Sequence, residues 1–460
     1  MEASNGFTCD RSGFDCAILS MTDQRPNILF IWTDQQAPGA MSCAGNPHLH
    51  TPAMDSLAEK GIRFEQAYCT DPICVPSRTS WLTGTMPHEN GVTFNIEDQS
   101  INRPPLAPLL RESGYDTGYV GKWHIPRSAE DTDWHGFDFV RHARNNRLDP
   151  DVPGASIEFL RRDRTSPFFL VSSFVNPHDI CEWARMTAGM GGSLPNGEIP
   201  PPPPARECPP LPDNFEIPRP EPSAIRALQA LAAGTYPTVD WGEDLWRQYI
   251  WAYQRLIEKV DARIGMILDE LKRSDQDRNT VVVFSSDHGD GSGSHHWNQK
   301  TLFYEEIAGV PMIVRPPFCP GSGGSDRRNL VSMNLDFFPT VLDYAEVPIP
   351  DGLSGRSLRP ILEARPGAGG HEFVISQNDL APDYGVSGRV FGRMIRGERF
   401  KYARYSAGDD REQLFDLDDD PGETRNLAYE PVFAEEKRRC RDQLDTWMRE
   451  FNDPFLKSER

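Results

Sequence analysis

Five short polar clusters carry the side chains that could do chemistry. Thr33-Asp34-Gln35 follows an apolar run, and Asp71-Pro72-Ile73-Cys74-Val75-Pro76-Ser77-Arg78 leads into Leu82-Thr83-Gly84. Gly121-Lys122-Trp123-His124, Asn176-Pro177-His178-Asp179 and Ser286-Asp287-His288-Gly289-Asp290 complete the set, with Lys300 further along. Asp34 and Asp287 are hard carboxylates from separate strand ends, as a hard divalent cation requires. Arg78, Lys122 and Lys300, together with the histidines, suit a tetrahedral oxyanion beside that ion. Singly, a strand-end Asp is more often a turn residue, a Cys a small buried apolar group, and a Lys a solvated charge. Co-occurrence at the ends of expected strands is what points to a site.

Those strands are legible as continuous apolar runs, the pattern of strands buried on both faces. They fall at 27–32, 117–120, 168–174, 280–285 and 310–314, with helical patterns at 54–61, 106–113, 244–272 and 336–345. Strand–helix alternation on this scale predicts an α/β fold, a large mainly parallel sheet covered by helices. Its ligands belong beyond the C-terminal ends of the strands. Residues 185–240 break the rhythm with Gly189-Met190-Gly191-Gly192 and the proline runs at 200–204 and 209–222. They read as a surface excursion, either facing substrate or merely solvated. Past residue 367, runs at 373–376, 390–395, 400–405 and 412–417 predict a small antiparallel sheet closed by a helix over 432–451. The expected organisation is a disordered leader at 1–24, a catalytic domain at 25–367 carrying the 185–240 insertion, and a C-terminal α+β subdomain at 368–460.

The whole chain is 460 residues, long enough for a large core plus a smaller unit. Against 48 basic residues stand 68 acidic ones, a net charge of −20 that argues against nucleic acid or an anionic membrane surface as partner. No stretch approaches the roughly 18 apolar residues of a transmembrane helix. Residues 1–20 have neither a basic start nor an apolar core, so they do not read as a secretory signal. The nine cysteines are scattered and show no CxxC zinc spacing, which favours free thiols and a cytoplasmic setting.

The run Cys74-Val75-Pro76-Ser77-Arg78 with Leu82-Thr83-Gly84 resembles the signature of the formylglycine-dependent sulfatases, in the alkaline-phosphatase-like superfamily. The similarity runs from about residue 25 through Gly118-Tyr119-Val120-Gly121-Lys122-Trp123-His124, Pro177-His178-Asp179 and Ser286-Asp287-His288-Gly289. It continues through Tyr304-Glu305-Glu306 to Asp420-Pro421-Gly422-Glu423 and Asn426-Leu427. The resemblance implies that a separate formylglycine-generating enzyme oxidises Cys74 to Cα-formylglycine, whose hydrate attacks sulfur and later expels sulfate. It implies a metal, Ca²⁺, held by Asp34, Gln35, Asp287, His288 and the modified Cys74. Arg78 would steady the nucleophile; Lys122, His124, His178 and Lys300 would bind sulfate oxygens, with His178 or Lys300 protonating the leaving oxygen.

Two positions depart from the commonest family pattern: Gln35 stands where a second Asp is usual, and His288 where Asn is usual. The change removes a negative charge and brings Mn²⁺ into consideration. This combination also resembles choline sulfatases and phosphonate monoester hydrolases. The leading expectation is a sulfuric ester hydrolase acting on a sulfated small molecule or saccharide, with Trp183, His295, His296, Trp297 and Asn298 near enough in sequence to contact a sugar. A phosphonate monoester or phosphodiester hydrolase is the alternative, and an anion-binding protein with unmodified Cys74 the second alternative.

Overall fold

In the computed structural model, residues 25–142, 148–235, 238, 240–318, 323–380 and 389–458 are described. The leader expected at 1–24 lies outside them. The apolar runs become the strands of one eight-stranded sheet. β1 (Asn27–Asp34) is followed by β2 (Ile62–Phe64), β3 (Ala67–Tyr68), β4 (Asp116–Gly121) and β5 (Phe139–Arg141). β6 (Phe168–Pro177), β7 (Thr280–Ser286), β8 (Met312–Arg315), β9 (Gly324–Asp326) and β10 (Val331–Ser332) come next. The sheet order is β5-β4-β6-β1-β7-β8-β2-β9, while β10 and β3 form a separate parallel pair. From β5 to β7 every pairing is parallel; β8 runs antiparallel to both its neighbours.

β1 is buried on both faces, which is why its sequence shows no polar alternation. Leu29 and Ile31 pack toward Tyr249, Leu256 and Val260 of the helix Glu243–Arg273. Phe30 and Trp32 pack on the other face against Trp81 of Cys74–Thr83 and Phe337 of Met333–Tyr344. The long helix carries Glu243 and Asp244 in its first turn and Lys272 and Arg273 in its last, matching its macrodipole.

The C-terminal strands β11 (Val374–Leu380), β12 (Val390–Arg396), β13 (Phe400–Tyr405) and β14 (Glu412–Asp416) form an antiparallel four-stranded sheet in sequential order. The helix Ala434–Glu450 covers it with Cys440, Leu444, Trp447 and Met448, a single helical stripe. One departure from expectation lies in the 185–240 insertion, where Ser223–Thr235 is a helix rather than loop. Its alanine- and leucine-rich text has high helix propensity once the prolines end at Pro222. Ala224, Ile225 and Leu228 bury against Tyr304 and Phe415. No helix among the described residues is long and apolar enough to cross a membrane.

Candidate active site

Three neighbouring parallel strands, β6, β1 and β7, end at one edge of the sheet and deliver His178, Asp34 and Asp287-His288 to the same place. Cys74 arrives from the other direction as the first residue of the helix Cys74–Thr83, after an extended Ile73. That helix is wholly buried. Ser77 Oγ donates to the Asp287 carbonyl at 2.6 Å, and Asn334 Nδ2 donates to the Ser77 carbonyl at 2.8 Å. Asn95 Oδ1 accepts from the Val75 amide at 3.1 Å, so the first turn is held from both sides.

The buried charges interlock. Arg78, with no exposed surface, donates from Nε to Asp287 Oδ2 at 2.9 Å and from Nη1 to Ser173 Oγ at 3.0 Å. Its Nη2 reaches Asp34 Oδ2 at 3.4 Å, where the Lys122 ammonium also donates. Asp34 Oδ1 is thereby left facing Cys74 Sγ and His288 Nε2, each 3.8 Å away. His288 Nε2 lies 3.3 Å from Cys74 Sγ, and Lys300 Nζ donates to that sulfur at 2.9 Å.

These contacts set the protonation states. Burial and Asp34 push the Cys74 thiol upward, but Lys300, Lys122 and His288 outweigh them and hold it well below an ordinary thiol. Burial likewise opposes ionisation of Asp34, yet Lys122, His178 and Arg78 keep its carboxyl well below the usual range. Burial, then Asp34, raises Asp287. His178 is driven well below an ordinary histidine by burial and then Lys300, so it is neutral near pH 7.

The donor set fits a divalent cation. One ligand atom from each of Asp34, Cys74, Asp287 and His288 lies within 4.8 Å of the others, all four residues are buried, and Asp34 Oδ1 is kept clear of both cations. Gln35, expected as a ligand, directs its side chain elsewhere: Nε2 donates to Asp290 Oδ2 at 2.7 Å, and Oε1 accepts from Cys181 Sγ at 3.7 Å. His124, at a backbone φ of 48°, lies on the wall of a cavity of about 580 Å³ shared with Lys122, Glu97, Arg127 and Glu130. Its Nδ1 is buried without a partner among the described residues.

Sequence reasoning assigned no role to several supporting residues. Asp290 accepts from Gln35 and, at 3.3 Å, from Tyr249, and burial pushes it up to about 6. Tyr253 donates to the Gln35 carbonyl at 2.7 Å. Asp149 accepts the amides of Val175 and Asn176 at 2.6 and 2.9 Å, fixing the strand end before His178. The i, i+4 spacing of Tyr249 and Tyr253 on a long helix is the sequence signal that marks one shared face.

A mainly parallel sheet with this buried cluster at its carboxyl edge defines a hydrolase of the alkaline-phosphatase-like superfamily. The sulfatase family model matches residues 26–347, and the model for N-sulphoglucosamine sulphohydrolase, C-terminal, matches residues 293–450. The chain belongs to the sulfatase family and is a sulfuric ester hydrolase. It is 29% identical to a Delta 4,5-hexuronate-2-O-sulfatase of Bacteroides thetaiotaomicron, over 96% of this chain and 92% of that protein. An N-acetylglucosamine-6-O-sulfatase of the same organism is 28% identical, over 94% and 87% respectively. The solved structure of a 2-O GAG sulfatase superposes with a TM-score of 0.82 at 28% identity, covering 94% of each chain.

Proposed function

We propose that this enzyme removes sulfate from a sulfated carbohydrate, with Cys74 as the precursor of its nucleophile. The observation that carries the reading is the convergence of Lys300, Lys122 and Arg78 with Asp34, Asp287 and His288 around one buried Cys74 side chain. The relatives that cover nearly the whole chain, named for sulfated hexuronate and N-acetylglucosamine, support the carbohydrate assignment.

Asp34, Asp287 and His288 would hold a divalent ion, Ca²⁺ in this reading. With Cys74 converted to formylglycine, an ion held there would supply positive charge beside the oxygen nucleophile. Arg78 pairs with Asp287 and orients it, and ties that carboxylate to the turn bearing Lys122 through the Lys122 carbonyl, 3.1 Å away. Lys122 and Lys300 bracket the reacting position and take the charge of the sulfate oxygens. His178, neutral at the pH of the reaction, donates a hydrogen bond, and His124 presents its ring to the adjoining cavity. Lys300 then remains the group placed to hand a proton to the departing alcohol oxygen.

Intact-mass analysis of the Cys74 peptide tests the first step: exchanging CH₂SH for CHO removes roughly 18 Da. Turnover of sulfated saccharides and aryl sulfates by that material, abolished in Cys74→Ala, is the expected companion result. A retained thiol in protein from its own host overturns the nucleophile, and a preference for aryl phosphate or phosphonate over sulfate overturns the ester.

A further inference from the structure

The segment 296–300 has two sides. On one, Lys300 Nζ meets Cys74 Sγ at 2.9 Å. On the other, Ile217, Gln229, Trp241, Trp246, His296 and Asn298 line a separate cavity of about 200 Å³. The two sides are rigidly linked, because Trp297 Nε1 donates to the Lys300 carbonyl at 3.0 Å and Tyr249 Oη donates to the Asn298 carbonyl at 2.9 Å. One residue, Gln299, separates Asn298 from Lys300, so their Cα atoms are at most about 7 Å apart.

The cavity has a specific chemistry. Its aromatic wall is preassembled: Trp241 and Trp246 meet edge-on at 5.4 Å, His296 stacks on Trp246 at 27°, and Phe215 abuts His296 at 4.0 Å. Asn298 is only 2% exposed, yet its Nδ2 has no hydrogen-bond partner among the described residues. Gln229 is half-buried, and its buried Nε2 also has no hydrogen-bond partner among the described residues. Buried amide groups are almost always satisfied, so two orphaned amides in one small pocket mark positions that a ligand's oxygens complete. Among the described residues, no Asp, Glu, Lys or Arg is in the lining. The cavity beside Lys122, by contrast, carries Glu97, Arg127 and Glu130.

We propose that this second cavity is a subsite for one uncharged pyranose ring. The aromatic faces take the apolar C–H face of the sugar, and the two amides take its hydroxyl or acetamide oxygens. The absence of charge selects against a sulfated or carboxylated ring, which the cavity could not neutralise. The inference rests on the carbohydrate reading given above and deepens it: the substrate carries a neutral sugar residue next to the one that bears the reacting sulfate. Of the residues noted near the site in the sequence, His296, Trp297 and Asn298 line this subsite. His295 instead stacks on Tyr304 at 3.8 Å, and Trp183 packs edge-on against Trp241 and Tyr249.

Saturation-transfer NMR on the full chain, with N-acetylglucosamine, galactose and glucuronate as unsulfated probes, reads binding without turnover. N-acetylglucosamine or galactose is expected to bind, with glucuronate at least tenfold weaker. Trp241→Ala and Asn298→Ala should each weaken binding about tenfold, the effect of losing one stacked ring or one buried hydrogen bond. Trp241→Phe should restore most of the loss. Gln229→Leu, away from the packed aromatic wall, repeats the test should Trp241→Ala fail to fold. In Asn298→Ala, KM for a sulfated disaccharide should rise about tenfold relative to KM for an aryl sulfate. Binding unchanged in all variants, no binding of either neutral sugar, or glucuronate bound as tightly as the neutral probes overturns the subsite. Wild-type protein that binds the sugars but hydrolyses no sulfate ester would overturn the proposed reaction and leave the subsite standing.

Discussion

Lys300→Met exposes the reasoning about the site most directly, because it removes one charge and nearly conserves shape. Lys300 Nζ lies 2.9 Å from Cys74 Sγ, so an ester oxygen reacting at that position sits within about 4 Å of the ammonium. At an effective dielectric of about 20, Coulomb's law gives about 4 kcal/mol for unit charges at that distance. Converted to rate, that is about three powers of ten in kcat, at the upper end of what losing one oxyanion donor costs. The loss should be unequal across substrates. An aryl oxide leaves readily without a proton, whereas a sugar alkoxide does not, so the saccharide sulfate should suffer more than the aryl sulfate. The assay is kcat and KM on both substrates, with rates normalised to the fraction of Cys74 converted, read by mass. KM should move less than kcat, since the charge on the leaving oxygen develops only in the transition state. A fall of less than tenfold in kcat on both substrates would refute the placement of Lys300, and an equal loss on both would refute its role as proton donor.

The metal assignment predicts that Ca²⁺ at a hundred times its Kd raises the unfolding free energy by about 2.7 kcal/mol, and that Asp34→Asn abolishes this gain. Calorimetry with and without chelator checks it, and a gain retained in the variant contradicts Asp34 as a ligand. Lys401→Met should cost about 3–5 kcal/mol at pH 8, because it strands Glu305 and Glu423, whose carboxylates lie 2.8 and 2.5 Å from Nζ. Burial pushes Glu423 up to about 8 despite Lys401, so its protonated form is favoured in the fold, and stability present at low pH is lost as pH rises through 8. The penalty should therefore shrink in urea melts at pH 5; equal penalties at both pH values would exclude this account. For an anionic substrate, kcat/KM should rise severalfold as ionic strength goes from about 0.01 to 0.15 M, where the Debye length falls from about 30 to 8 Å. A fall would show that the field outside the cleft is not set by the net charge of −20.

What the sequence reveals depends on burial. The runs at 27–32, 117–120, 168–174 and 280–285 lie within β1, β4, β6 and β7, because a strand buried on both faces must be apolar at every position. The short elements β2, β5 and β9 are three residues each and partly exposed, too short for any period to show. The expected run at 310–314 is β8, starting at Met312, and its antiparallel direction leaves no trace in composition. The Cys74–Thr83 helix is equally silent: wholly buried, it has neither an amphipathic stripe nor a side-chain N-cap. The residues that converge around Cys74 were readable because each follows a recognisable strand or motif. Gln35 shows the limit of that reading, since its position beside Asp34 says nothing about Asp290 and Cys181, which claim its amide from distant parts of the chain.

A chain with net charge −20 that attracts an anion demands separation between surface and cleft. Arg78, Lys122 and Lys300 are 0, 3 and 6% exposed, so water and salt screen them little, whereas the acidic excess is spread over a solvated surface. Buried cations are tolerable only with partners, and Asp34 and Asp287 provide them without sealing the site. Arg78 and Lys122 are engaged by carboxylates, while Lys300 turns its ammonium to the Cys74 sulfur. In the reaction proposed above, Lys122 serves twice, pairing with Asp34 and facing the sulfate oxygens, and Lys300 takes the charge of the leaving oxygen. Beyond Lys300, with Gln299 between, the uncharged cavity begins at Asn298. A substrate that is anionic at one ring and neutral at the next matches that sequence of environments; one charged at both does not.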